Sequence, residues 1–216
     1  MLLGERIVEV RCQATKGYGS GYLIRSGLIL TACHVIADLG EQLPPGLVPE
    51  VRSLTAEADH PWQGAKLLWP DPSQWPLLSK IDIALLSLRY GGRELGKVET
   101  TNPLTSLGWG NLPAYLQMQV TAVGFPRFKH DDSTNTRDTH QIFGVVAPLS
   151  AYKSQQLEIE YTGRKPNQDE DWKGLSGAAV FSCSDEARIL GVLVVKVREK
   201  DATMFDFKAK RLDEAP

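Results

Sequence analysis

The sequence predicts an all-β protein, a barrel or a sandwich, on three observations. Short apolar or alternating runs rich in Val, Ile, Leu and Tyr recur along the chain, separated by turn residues. No long helical stripe precedes the C-terminus. The length, 216 residues, suits one large domain or two small barrels that share a cleft.

The runs follow in order. "RIVEVRC" and "GYLIRSGLILTA" open the chain, then come "AKLLW" and "DIALLSL". Between Tyr90 and Leu116 the sequence turns rich in Gly, Pro, Thr and Asn, which marks a crossing between two halves. "MQVTAVGF", "IFGVVAPL", "QLEIEY", "GAAVF" and "RILGVLVVKV" supply the second set. "PRFKHDDSTNTRDTHQ", from Pro126 to Gln141, is polar and breaker-rich and reads as an exposed, solvated loop. "PWQGAKLLWPDPSQWP" carries Trp62, Trp69 and Trp75, read as core or loop packing.

Composition excludes several classes. Hydrophobic residues at 42% and charged residues at 23% fit an ordinary soluble globular chain. A net charge of -2 creates no global field to recruit nucleic acid or an anionic membrane, so neither is expected as a partner. Cys12, Cys33 and Cys183 cannot all pair within the chain, and their spacing matches no zinc pattern. His60, His130 and His140 show no ligand spacing either, so no metal and no cofactor are expected. Glu5 and Arg6 fall inside what would be the apolar core of a signal peptide, and no membrane span is visible. The expected compartment is cytoplasmic, with reduced thiols.

Three stretches carry chemistry. In "SGLILTACHVIADLG" an apolar strand delivers His34, either a core histidine with a satisfied hydrogen bond or a working base. In "SKIDIALLSL" Asp82 enters an apolar strand. If that strand is buried, the carboxylate needs a cation or strong donors, and an imidazole N–H would suffice; the alternative is an exposed first strand residue. In "WKGLSGAAVF" Gly174 and Gly177 flank Ser176. A serine needs a base within hydrogen-bond reach to become nucleophilic, and Gly174 lets backbone N–H groups converge beside the hydroxyl. A tight turn before a strand explains the same residues.

The order His34, Asp82, Ser176 matches the chymotrypsin arrangement and neither the subtilisin nor the α/β-hydrolase order; the hydrolase elbow also needs a glycine where Ala178 stands. "GSGYLIRSGLILTACHVI", "KIDIALLSL" and "GLSGAAVF" resemble the three motifs of trypsin-like serine peptidases. "VTAVGFP" and "IFGVVAPL" resemble second-barrel strands of the bacterial, HtrA-like branch. The resemblance implies a chymotrypsin-like fold of two antiparallel β-barrels with the active site in the cleft between them. Residues 1–100 would form the barrel carrying His34 and Asp82, 101–200 the barrel carrying Ser176, and 201–216 a C-terminal tail or short helix. It implies His34 as general base, Asp82 as its orienting acid, Ser176 as nucleophile, and an oxyanion hole from the N–H groups of Gly174 and Ser176.

The chain departs from the family in places. Leu175 stands where digestive and clotting enzymes carry an aspartate that pairs with a newly released N-terminus, so activation by that route is not expected. Ala178-Ala179 replaces Gly-Pro, and Cys33 replaces a small alanine. By the same alignment Glu170, Asp171 and Lys173 line the pocket for the residue before the cut. Either acid can pair with a substrate Lys or Arg, or the run can be a solvated acidic loop. Val194, Val195 and Lys196 would lie beside an extended substrate and donate backbone hydrogen bonds, and a lysine there would narrow the pocket toward smaller residues.

The expected function is therefore a serine endopeptidase acting on a protein or peptide through an acyl-enzyme, under the control of a regulatory partner or fused module. The rival class is a catalytically silent peptide-binding or recruitment domain on the same fold, and an esterase-like hydrolase is a third reading.

Overall fold

The computed structural model describes residues 4–25, 27–54, 62–90, 93–94, 108–110, 112, 116–163, 169–184, 186–194 and 206–212. The first barrel comprises β1 (Ile7–Cys12), β2 (Gly17–Arg25), β3 (Leu28–Thr31), β4 (Glu50–Ser53), β5 (Gln63–Trp69) and β6 (Ala84–Tyr90). They pair antiparallel in the order β3-β2-β1-β4-β5-β6, and a β3–β6 ladder closes the ring. Closure pairs the two end strands of the ring, whose edges a half-apolar sheet of short strands would otherwise present to water. A two-residue β7 (Arg93–Glu94) extends β6. Val10, Ile29 and Leu86 fill the interior and are shielded from solvent. Trp75, in the single α-helical turn α1 (Trp75–Leu78), completes this core and donates its indole N–H to the Asp38 carbonyl at 3.1 Å.

The second barrel follows. β8 (Gly108–Trp109) and β9 (Met118–Gly124) come first, then the small hairpin β10 (His130–Asp131) and β11 (Thr136–Arg137). β12 (His140–Val146), β13 (Gln156–Tyr161), β14 (Ala179–Ser182), β15 (Arg188–Val194) and β16 (Asp206–Arg211) finish the chain. The ring runs β14-β9-β12-β13-β16-β15 and closes through β14–β15, with β8 parallel to the edge of β15. The protein is thus two closed six-stranded antiparallel barrels with almost no helix.

The C-terminal expectation needs correcting. Part of 201–216, read as a tail or short helix, is strand β16, paired to both β13 and β15. Its side chains alternate, with Phe207, Ala209 and Arg211 buried and Lys208 and Lys210 half-buried, a period-two pattern that a helix would scramble. The 100/101 boundary lies outside the described residues.

The barrels meet through their cores. Phe125, Phe181, Ile189 and Val192 of the second barrel pack into the apolar cluster of the first. Tyr22 and Phe181 cross edge to face with ring centroids 4.8 Å apart. Among the described residues no helix is long and apolar enough to cross a membrane.

Candidate active site

His34 leaves β3 on a 3₁₀ turn, Cys33–Val35, whose first residue anchors it. The Cys33 thiol donates to the Ile83 carbonyl at 2.8 Å, tying the turn to the peptide that follows Asp82. Burial, and then the nearby Asp82 charge, push the Cys33 thiol far above its ordinary range. It is a packing group with a satisfied donor, and its burial disfavours the thiolate.

Asp82 ends a second 3₁₀ turn, Ser79–Ile81, in left-handed conformation at φ 62°, with its N–H on the Ser79 carbonyl at 2.8 Å. Aspartate is among the few side chains that tolerate this region. The bend aims the carboxylate at the His34 turn. Asp82 Oδ1 accepts the His34 backbone N–H at 3.0 Å, and both carboxylate oxygens lie 2.9 Å from His34 Nδ1. The carboxylate side chain is 4% exposed, whereas the imidazole is 32% exposed. A buried acid at this distance fixes the proton on Nδ1, which leaves Nε2 as the basic nitrogen.

Ser176 sits on the turn before β14, 7% exposed, and its backbone is what holds it. Its carbonyl accepts the Ser20 N–H of β2 at 2.7 Å. The next residue, Gly177, has φ 90°; its N–H goes to the Leu193 carbonyl at 2.9 Å, and a Cβ there would lie 2.0 Å from the Ser20 carbonyl. Gly19 closes the other side: a Cβ on it would lie 2.5 Å from Val35 Cγ2 and 2.6 Å from the Ser176 carbonyl oxygen. The Ser176 peptide is therefore packed beside the residue that follows His34. Among the described residues Ser176 Oγ makes no hydrogen bond.

The turn before the serine has a defined orientation. The Lys173 carbonyl accepts the Arg127 N–H at 2.7 Å, and the Leu175 N–H closes back on the Trp172 carbonyl at 3.1 Å. Gly174, at φ 103°, turns its carbonyl to Ser20 Oγ at 2.6 Å. The N–H groups of Gly174 and Ser176 donate to no described residue. Leu175 is fully buried in the second core.

Sequence reading missed Ser20. Its hydroxyl is fully buried, donates to the Gly174 carbonyl and accepts the Phe125 N–H at 2.9 Å, while its own carbonyl accepts from Thr31 Oγ1 at 2.7 Å. One first-barrel residue thus grips both the nucleophile turn and the end of β9. The only local signal was a small polar residue between glycines in a strand, which by itself points to a turn.

The expected pocket residues that are described lie on the turn before Ser176 and at the end of β15. Glu170, Asp171 and Trp172 fall on the 3₁₀ turn Asp169–Trp172. Trp172 is fully buried among Phe128, His140, Tyr161 and Phe207, with centroids 4.9 to 5.8 Å from its ring. Asp171 is half-buried, Lys173 is exposed, and Val194 is buried at the end of β15, paired with Lys208. Val195 and Lys196 lie outside the described residues, as does the side chain of Glu170.

The sequence profile of the trypsin-like peptidase domain matches residues 19–192. The chain belongs to the trypsin-like peptidase family. Solved structures of serine proteases share its fold. Deg5 is 20% identical over 97% of this chain and 85% of its own, with a TM-score of 0.57. The thermostable serine protease AL20, from an extremophilic microorganism, is 16% identical over 96% of this chain and 91% of its own, at TM-score 0.65. A Glu endopeptidase is 14% identical over 96% and 84%, at TM-score 0.66. Likenesses at such low identity speak for the fold alone. No curated protein sequence matches the chain.

Proposed function

We propose that this trypsin-like peptidase is a serine endopeptidase working through His34, Asp82 and Ser176. The observation that carries the reading is the double contact of the buried Asp82 carboxylate with His34 Nδ1, which leaves Nε2 as the basic nitrogen. In the reaction Ser176 Oγ attacks the scissile carbonyl carbon and its proton passes to His34 Nε2. The carbonyl oxygen, now an anion, accepts from the N–H groups of Gly174 and Ser176. Collapse breaks the C–N bond, and the proton on Nε2 goes to the leaving amine. Water then repeats the sequence on the acyl-enzyme and releases the acid.

The substrate is an extended peptide. β14 stops pairing with β15 near Leu193, whose N–H goes to the Ala178 carbonyl at 2.8 Å, so a peptide strand can continue the ladder at Val194. Glu170, Asp171 and Lys173 line the specificity pocket in this reading. The buried Leu175 leaves the oxyanion turn without an acid–amine anchor, which suits control by a partner or a fused module.

One observation favours the silent-domain reading: Ser176 Oγ is not hydrogen-bonded to His34, though such bonds are often long before substrate binds. Hydrolysis of an internally quenched peptide library, run beside p-nitrophenyl esters, separates the cases. Endopeptidase activity predicts peptide cleavage lost in Ser176→Ala; ester turnover alone marks an esterase, and neither marks a binder.

A further inference from the structure

We propose that Arg137, on β11 in the polar loop between Pro126 and Gln141, is a positioning residue for the oxyanion turn. It braces the Gly174 backbone and holds a fixed positive charge beside the hole where the anionic oxygen develops. The inference rests on the endopeptidase reading above and adds a working part from a loop that the sequence reads as mere solvated surface.

Four observations support it. First, the Arg137 guanidinium reaches the turn: Nη1 lies 2.8 Å from the point where a Cβ on Gly174 would stand. The same nitrogen donates to the Phe125 carbonyl at 3.4 Å, so the residue spans the end of β9 and the glycine of the hole. Second, its position is clamped from the first barrel. The guanidinium carbon stands 3.7 Å from the centroid of the Tyr18 ring, a stacked cation–π contact. That ring is itself fixed, because the Tyr18 hydroxyl donates to Glu9 Oε1 while Glu9 Oε2 accepts from Arg52 Nε at 2.6 Å.

Third, the charge is not consumed in an ion pair. Among the described residues no carboxylate lies within salt-bridge distance of Arg137, and its Nε is buried with no hydrogen-bond partner. The nearby Glu9 carboxylate is taken up by Tyr18 and Arg52. Fourth, burial works against the charge, with Tyr18 and Glu9 offsetting that cost and Arg127 adding to it. A half-buried cation without an acid partner is costly to keep. Its placement next to the peptide that receives a transient anion gives the cost a purpose, because an oriented charge there needs no reorganisation when the intermediate forms.

The test compares wild type with Arg137→Met, Arg137→Gln and Arg137→Lys, each checked for folding by its thermal transition. Two readouts are used. The first is the kcat and KM split on a peptide substrate, together with the rate of phosphonylation by a fluorophosphonate. Removal of the charge is expected to lower kcat and the phosphonylation rate about tenfold or more, with KM within about twofold, and lysine is expected to recover part of the loss. An effect confined to KM, a folded methionine variant with wild-type kcat, or a lysine variant as impaired as methionine would overturn the role.

The second readout does not need activity. Labelling with carbonyl-¹³C lysine and ¹⁵N-glycine selects Gly17 and Gly174, the glycines that follow lysine. The Gly174 amide resonance is expected to move in Arg137→Met, and an unmoved resonance overturns the inference. If Arg137→Met does not fold, Tyr18→Leu, which removes the stacking platform, must give the same displacement in smaller measure, or the inference fails. A wild type that never reacts with the probe while Gly174 responds to Arg137 refutes the endopeptidase reading and leaves the brace standing.

Discussion

On the first-barrel side, the Asp82 carboxylate makes three contacts of 2.9 to 3.0 Å with His34, two to the ring and one to the backbone N–H; on the second-barrel side, Ser176 is held by backbone bonds alone and its hydroxyl engages no described residue. The His34–Asp82 pair is fixed by these contacts. Ser176 is located by its main chain, with Gly174, Gly177 and the buried Ser20 setting where the turn runs. The difference assigns separate sensitivities. Changes to the first half should alter chemistry with little effect on the fold, whereas changes around the turn should move geometry and stability together.

The largest expected effect breaks the first half. Asp82→Asn keeps a residue that tolerates the left-handed φ of 62° but replaces one carboxylate oxygen with an N–H donor and removes the charge, so the His34 tautomer is no longer fixed. A kcat fall of roughly 10⁴-fold is expected, the scale seen when the acid of a Ser-His-Asp triad is made an amide, with an almost unchanged melting curve. Steady-state kinetics and circular dichroism check both parts.

Gly174→Ala probes the second half and comes next. Its φ of 103° is hostile to a side chain, and the new Cβ would lie 2.2 Å from the Phe125 carbonyl. Displacing one oxyanion donor should cost about 10²–10³ in kcat, and here, unlike the first case, the melting temperature falls as well.

Ser20→Ala sharpens the comparison. It strands the Phe125 N–H and the Gly174 carbonyl in a fully buried site, a loss of about 1–3 kcal/mol. For a chain of this size that lowers the thermal midpoint by several degrees, measurable by calorimetry. The smallest effect belongs to Cys183→Ser. Cys183 is the exposed thiol while Cys12 and Cys33 are buried, so a thiol reagent should modify one site in the folded protein and the variant should keep full activity.

These contrasts also explain what the sequence could and could not reveal. Alternating apolar runs announced most barrel strands because each buries one face. β16 was hidden by its lysines: in "DFKAKR" the inward set is Phe207, Ala209 and Arg211, which reads as charged solvent-exposed chain until its two neighbours are known. β4, with Val51 as its one buried residue, was too short to register. His34, Asp82 and Ser176 stood out because each interrupts or adjoins an apolar strand, where a polar group needs a reason. Ser20 and Arg137 did not, since their roles depend on partners more than a hundred residues away or on the opposite barrel.

The central claim is that the two halves combine to activate one serine, and a fluorophosphonate probe tests it most directly. Purified wild type, Ser176→Ala and His34→Ala are treated with the probe, and the modified residue is mapped by peptide mass spectrometry. The account predicts a single adduct on Ser176 in wild type and none in either variant. A folded wild type that takes up no probe, or an adduct on another residue, would contradict it.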